Sequence, residues 1–327
     1  MKDATVEIIG EISQHPNADN LEILSVLGFN CVARKGVHKK GGKIVFVRPD
    51  SILPIEDWSE KYRLYCPKRV RAIKLRGEWS EGLIINLDDV PFDIVNIPVG
   101  EDVSQLLKIT HYEPPISQEL NIYGELPFGI GKTDEERVEN IENIYLPFNE
   151  PVDISLKIDG QSCSFFYNIE QDRFGVLARN FELKEEFHNN YTDHVERYDI
   201  KNKLIAFCKK HNVSLCLRGE SYGMGIQKNP LNPSSKKNKG WMMFSVYNIS
   251  ERKYCEKGSE FYFENVGAEL DLPIVPIIQH DIPFTQAIID DYGKNLTMID
   301  SNYFEGVVIK HRNGSFKIIN KFYDSKK

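Results

Sequence analysis

Residues 153–168 read DISLKIDGQSCSFFYN, and one lysine, Lys157, stands in an otherwise apolar, strand-like run directly before Ile158, Asp159 and Gly160. Ile154, Leu156 and Ile158 alternate with Ser155, Lys157 and Asp159, so a β-strand puts Lys157 and Asp159 on one face and the aliphatic side chains on the other. That face is either solvent or a site. Three more stretches set charge beside glycine within apolar strands: LCLRGESYG (215–223), YFEGVVIK (303–310) and SFKIIN (315–320). Half-burying cations and carboxylates is costly unless they pair or meet a ligand. A pocket gathering Lys157, Lys310 and Lys317 with Asp159, Glu220 and Glu305 would bind a polyphosphate together with a hard divalent cation. Among such lysines, one that is partly desolvated beside another cation keeps some neutral amine near neutral pH and becomes a nucleophile. On this reading Lys157 attacks phosphorus.

The same residues carry a resemblance. LKIDG is similar to the KxDG nucleotidylation motif of the covalent nucleotidyltransferases, the superfamily of polynucleotide ligases and RNA-capping enzymes. LRGE, EGVVIK and the SFK stretch resemble its later motifs in the same order, ARN at 178–180 resembles a further one, and FSVYNI at 244–249 the aromatic one. The resemblance covers roughly residues 150–321 and implies a mixed α+β, mainly antiparallel, ATP-grasp-like nucleotidyltransferase domain. It implies that Lys157 forms a lysyl-nucleotide, that Asp159 and Glu305 hold a hydrated Mg2+ or Mn2+, and that Glu220 meets the ribose hydroxyls or a metal-bound water. It also implies that Arg179, Lys310 and Lys317 hold phosphates and that Phe244 or Tyr247 faces the adenine of ATP. Two features depart from the simple pattern. Glu305 and Lys310 differ in strand parity, which calls for a bulge or bend near Gly306. Where relatives often carry a second lysine in the last motif, this chain has Ile319, with Lys321 two residues further on.

These motifs need elements to hold them. Strands are expected at 151–168, 173–180, 214–220, 241–248 and 303–319, with a helix near 194–211 ending at His211-Asn212. GIGKTDEER contains the GKT of a phosphate-binding loop, but the first glycine of that motif would fall at Leu126 and no strand precedes it. Thr133 and Glu136 read better as a capping box opening a helix, with Asp134 and Glu135 in its first turn. The segment 227–240, QKNPLNPSSKKNKG, reads as a basic loop.

At 327 residues with 41% hydrophobic residues the chain has room for about two domains. Ahead of a proline-containing linker, residues 1–112 show short alternating runs (TVEII, LEILSVLG, KIVFVRP, RVRAIKLR, GLIINL) separated by turn signals, which fits a small closed or partly open β-barrel. The expected division is 1–112 and 113–327. HPNAD at 15–19 and AIKLRGEWSEGLI at 72–84 are similar to OB-fold domains that bind tRNA in some synthetase subunits and associated proteins. The whole chain carries 41 basic and 48 acidic residues, a net charge of −7, so nucleic-acid binding has to rest on local patches. Residues 61–76 supply one: seven basic residues, among them Lys68, Arg69, Arg71, Lys74 and Arg76, without an acid, and with Tyr62 and Tyr65 interleaved for base stacking.

The six cysteines form no CxxC and the eight histidines no HExxH, so buried free thiols are expected instead of disulfides or zinc. No apolar run approaches the roughly 20 residues that cross a bilayer, and the start of the chain lacks a signal-peptide layout. The expectation is a soluble, cytoplasmic monomer. An OB-like domain before the nucleotidyltransferase domain, with only about six residues after 321, resembles the ATP-dependent RNA ligase branch typified by the Deinococcus enzyme. That resemblance implies joining of 5′-phosphate to 3′-hydroxyl RNA ends, in a nicked duplex, a broken strand or a tRNA. A capping-type guanylyltransferase, an ATP-dependent DNA ligase and a non-catalytic nucleic-acid-binding protein remain open on the sequence.

Overall fold

The computed structural model describes residues 2–112, 121–227, 229–295, 299 and 302–324. The chain divides into two compact units, Met1–Pro115 and Ile116–Lys327. The expected boundary at 112/113 adjoins residues 113–120, which lie outside the described residues.

In the first unit, β1 (Ala4–Ile8), β5 (Lys43–Val47) and β9 (Leu83–Ile85) form an antiparallel sheet in the order β1-β5-β9. β5 is apolar on both faces because it is covered on both: Val45 and Val47 enter one core with Val6 and Ile85, Ile44 and Phe46 another with Leu24 and Phe29. β2 (Ile12–Gln14), β3 (Leu21–Val26) and β4 (Phe29–Arg34) form a meander, and β3 buries every second residue as its alternation requires. β6 (Ser51–Ile52) pairs with β10 (Thr110–His111), and β7 (Ile73–Leu75) with β8 (Glu78–Ser80); α1 (Glu60–Arg63) is a single turn. The unit is OB-like, yet its strands fall into separate ladders and no closed barrel forms among the described residues. RVRAIKLR is strand only at its end: Val70 is buried and exchanges backbone bonds with Asp50 and Ser51, which draws the start of the run inward.

The second unit is mixed α+β and built on two sheets. β11 (Ile122–Glu125), β14 (Gln161–Asn168), β15 (Arg173–Leu177), β16 (Phe181–Leu183), β17 (Leu215–Tyr222), β18 (Gly240–Asn248) and β19 (Lys253–Tyr254) form a seven-stranded antiparallel sheet ordered β11-β16-β15-β14-β17-β18-β19. β12 (Glu136–Arg137), β13 (Pro151–Lys157), β20 (Ile277–Pro283), β21 (Gly306–His311) and β22 (Gly314–Ile319) form a second sheet ordered β12-β22-β21-β13-β20. α2 (Asp193–Arg197), α3 (Ile200–His211) and α4 (Phe263–Leu270) cover the first sheet through Val195, Leu204, Phe207, Phe263 and Val266, packed on Phe165, Leu217 and Trp241. α5 (Gln286–Asp290) and α6 (Lys321–Asp324) belong to the C-terminal part of the unit.

The helix expected over 194–211 is broken at Asp199, whose φ of 52° leaves the helical region, and it ends as expected with Asn212 left-handed at φ 52°. The helix expected from Thr133 does not form. Residues 131–135 have no regular structure, Glu136–Arg137 is strand, and only short 3-10 turns follow. Five of the six free cysteines are buried, as expected. No helix among the described residues is long and apolar enough to cross a membrane.

Candidate active site

The pairing of β13, β21 and β22 decides where the lysines point. Lys157 lies opposite Gly306, Ser155 opposite Val308 and Asp153 opposite Lys310, while Lys317 lies opposite Val308 on the other side of β21. Residues directly opposite in antiparallel strands share a face, so Lys157, Lys310 and Lys317 project from one side of this sheet. The other side carries Ile154, Val307, Ile309, Phe316 and Ile318 into the core. No register shift occurs within β21, so of the bulge or bend expected near Gly306 the chain takes the bend and not the bulge. Glu305 instead sits in a bend just before the strand, freed from its parity, and its Oε2 accepts a 2.7 Å bond from Lys157 Nζ. The lysine side chain is 24% exposed and the glutamate 8%.

After Lys157 the chain turns from one sheet into the other through Ile158-Asp159-Gly160. Gly160 is required by close approach: a Cβ there would stand 2.2 Å from the Ser221 carbonyl oxygen and 2.9 Å from Glu220 Cγ. This contact sets Glu220 beside the turn, and β14 keeps it there by pairing Ser162 with Glu220. Asp159 is buried, and its Oδ2 accepts a 2.6 Å bond from the hydroxyl of Tyr323 in α6. Burial and the Asp159 charge push the Tyr323 phenol up, so it remains a donor. Asn232 Nδ2 donates to the Asp159 carbonyl at 3.0 Å, Gln227 Nε2 to the Gly160 carbonyl at 2.5 Å, and Asn229 Nδ2 to the Tyr323 carbonyl at 3.1 Å. The segment read as a basic loop therefore clamps the turn after Lys157.

Arg179 and Lys317 converge on one acid. Asp134 Oδ1 accepts from Lys317 Nζ at 2.7 Å and its Oδ2 from Arg179 Nη2 at 3.1 Å. Burial opposes its ionisation, but Lys317, Arg179 and Lys157 together hold its carboxyl below the usual carboxylate range. Asp134 also lines a cavity of about 460 Å³ together with Glu135, Phe244, Lys310 and Phe263. Lys310 is buried; its ammonium donates to the Phe244 carbonyl at 2.8 Å and lies 4.8 Å from the Phe263 ring centre. Burial lowers its affinity for the proton, while Glu135, Glu264 and Asp153 act the other way. Of the two aromatic candidates Phe244 reaches the cavity, whereas Tyr247 is buried, donates its hydroxyl to the Gly129 carbonyl at 3.2 Å and packs edge-on against Tyr254. Lys321 is buried at the start of α6, and Ile319 occupies the position opposite Gly306.

Asp159, Glu220 and Glu305 offer only carboxylate oxygens, the donor set of a hard cation that keeps part of its water. Among the described residues the group of three acidic or imidazole side chains with ligand atoms within 4.8 Å of one another is a different one, Asp153, Glu264 and His280. There Lys257 Nζ already pairs with Asp153 Oδ1 at 2.7 Å.

In the first unit Lys68, Arg71, Lys74 and Arg76 are exposed, as is Tyr65 at 73%. Arg69 differs: it pairs with Asp50 at 3.1 Å and stacks 4.5 Å from the Tyr112 ring centre. Tyr62 is also not available for stacking, because it is buried in the core with its hydroxyl bonded to Asp89. The sequence shows neither Tyr323, Asn232 nor Asp134 as site residues: Tyr323 follows the last motif, Asn232 lies among prolines, and Asp134 reads as a helix-capping acid.

An RNA ligase family model matches residues 150–322, and an OB-fold domain model matches residues 3–87. No curated protein matches the chain. Among solved structures, an apo lysine-to-alanine mutant of the Naegleria gruberi RNA ligase is similar with a TM-score of 0.85 at 30% identity, over 100% of this chain and 99% of that one. Another lysine-to-alanine mutant of the same ligase, with ATP and Mn, gives the same figures. The Naegleria gruberi RNA ligase with PPi gives a TM-score of 0.82 at 30% identity over 99% of this chain and 98% of that one.

Proposed function

The chain belongs to the RNA ligase family, and on that footing we propose that Lys157 is the nucleophile of an ATP-dependent RNA ligase that seals 5′-phosphate to 3′-hydroxyl ends. One observation carries the assignment: Lys157 is half-buried on the same sheet face as Lys317 and Lys310, 2.7 Å from Glu305, at the turn that also places Asp159 and Glu220. In the first step the Lys157 amine attacks the α-phosphorus of ATP, the N–P bond forms as the bond to the bridging oxygen breaks, and pyrophosphate leaves. The AMP then passes to a 5′-phosphate end. A 3′-hydroxyl attacks that activated phosphate, the phosphodiester forms, and AMP leaves.

Lys157 Nζ donates to Glu305 Oε2 at 2.7 Å, so the attack requires the amine to give up a proton and that bond. Asp159 and Glu305, with Glu220 through water, would hold Mg2+ or Mn2+; when bound, the cation draws charge from the transferring phosphoryl group. Arg179 and Lys317 hold the phosphates, Lys310 braces the Phe244 end of the cavity, and Phe244 supplies the face for adenine. Little covalent work falls to the other side chains, since phosphoryl transfer is accelerated mainly by alignment and charge stabilisation.

Residues 1–112 are read as an OB-like nucleic-acid-binding domain and 113–327 as the ligase domain. The exposed Lys68, Arg71, Lys74, Arg76 and Tyr65 support the first assignment. The reading includes a cytoplasmic monomer acting on broken or nicked RNA, a tRNA among the candidates. The test is incubation with α-labelled ATP or, separately, α-labelled GTP plus Mg2+ or Mn2+, followed by a denaturing gel. An ATP-dependent covalent label that disappears in Lys157→Ala is expected. Persistence of the label in that variant would move the nucleophile elsewhere, and a label from GTP alone would replace ligation with capping chemistry.

A further inference from the structure

Two cations, Arg179 and Lys317, meet where this reading puts the phosphates of ATP, and an acid from a segment without regular structure already stands between them. Asp134 bonds Lys317 at 2.7 Å and Arg179 at 3.1 Å, one carboxylate oxygen to each. A carboxylate held in this way by a lysine and an arginine fills the positions that two phosphate oxygens would take. The segment around it is pinned at both ends. Before it, Arg218 Nη2 donates to the Gly131 carbonyl at 2.7 Å and the Thr133 and Ser162 hydroxyls are 2.5 Å apart; after it, Arg137 pairs with Lys317 across β12 and β22. Asp134 lies between these anchors, with its side chain 29% exposed.

We propose that Asp134 is a built-in phosphate surrogate: it holds Arg179 and Lys317 in the nucleotide-free enzyme and is displaced by the phosphates of ATP, so that its charge sets the affinity for nucleotide. The proposal rests on the reading of Arg179 and Lys317 as phosphate-holding residues. Two anions cannot share the same pair of cations without repulsion, so each nucleotide that binds does so against the fraction of enzyme in which Asp134 is engaged. Asp134 thus lowers apparent affinity while keeping the two cations ordered and neutralised between turnovers. Its grip acts on phosphates and not on the base or ribose.

Equilibrium titration calorimetry in a Lys157→Ala background, where no covalent step intervenes, separates the possibilities at fixed Mg2+. Asp134→Asn, which keeps shape and removes charge, is expected to tighten ATP and inorganic pyrophosphate roughly three- to tenfold and to leave adenosine unchanged. Asp134→Glu, which keeps the charge, is expected to bind ATP as the Asp134 protein does. Unchanged or weaker ATP binding in Asp134→Asn overturns the proposal, as does equal tightening in both variants. Lys317→Ala serves as the control for the underlying reading. Failure of that change to weaken ATP removes the phosphate site itself, whereas weakening there with no gain in Asp134→Asn removes only the role of Asp134.

Discussion

A hydrogen bond to one carboxylate oxygen fixes how the whole group is oriented, and for Asp159, proposed above as a metal ligand, Tyr323 supplies such a bond. The phenol is fully buried, bonds Asp159 Oδ2 at 2.6 Å, and is itself fixed through its backbone carbonyl by Asn229. Hydrogen bonds to charged groups contribute about 1.5–3 kcal/mol. Tyr323→Phe keeps the packed ring and removes only that bond, so lysyl-AMP formation is expected to slow roughly tenfold or more, with a higher Mg2+ or Mn2+ concentration needed for half-maximal rate. Single-turnover adenylylation across a metal titration reads both effects. A rate loss with an unshifted metal midpoint would assign Tyr323 to the stability of α6 and not to Asp159. The face taken by Lys157 was legible because alternation within the strand sets it opposite the aliphatic Ile154 and Leu156. Tyr323 was not, since its partner lies 164 positions away and nothing local marks it.

At the level of elements, local rules held wherever tertiary contacts agreed with them. α3 ends at His211 with Asn212 left-handed, as its sequence indicates. Around Thr133 the local rule lost. The hydroxyl that would cap a helix bonds Ser162, and the acid of the first turn is held by Lys317 and Arg179, so ion pairs across the site outweigh a capping box. At Glu305 the parity mismatch with Lys310 is met by the bend before β21, one of the two solutions the sequence calls for. A further junction between elements makes stability depend on pH. His194 of α2 meets Ser221 of β17 at 2.8 Å; since the Ser221 hydroxyl is within 3.1 Å of the Asn190 carbonyl and donates to it, His194 Nε2 carries a proton and donates to Ser221. Burial, with Arg197 and Lys239 adding to it and Asp193 opposing, lowers its pKa from 6.5 to about 4. The unfolded chain therefore takes up a proton that the folded one refuses, so this contribution is fully present above about pH 6.5 and is lost as the pH falls toward 4. Between pH 7 and 5 it amounts to about 2 kcal/mol. Urea midpoints at the two pH values are expected to differ more for the wild type than for His194→Gln; equal differences would place the acid sensitivity in other groups.

For the whole molecule, a net charge of −7 is compatible with a nucleic-acid substrate when basic residues cluster locally, as they do over residues 61–76. Lys68, Arg71, Lys74, Arg76 and Tyr65 are all exposed in the first unit, while Arg69 is committed to Asp50 and Tyr112. The residues proposed for adenylylation all lie in the second unit. Nucleotide transfer to Lys157 and engagement of RNA ends should therefore be separable. A chain lacking residues 1–112 is expected to accept AMP on Lys157 and to join ends poorly. Within the intact chain, replacing Lys68, Arg71 and Lys74 with alanine tests the proposed phosphate contacts while keeping the Arg69–Asp50 pair. Each contact releases counterions, so the slope of log affinity against log salt is expected to shrink by roughly 0.7–0.9 per residue replaced, or about 2–3 in all. Filter binding of a nicked RNA duplex between low and physiological salt measures this, with label transfer to Lys157 as the internal control. If affinity falls equally at both salt concentrations, those residues support the fold of the unit and do not touch phosphate. If label transfer falls with it, the two units share one function and do not divide it, because a patch that only holds RNA has no route to the first chemical step.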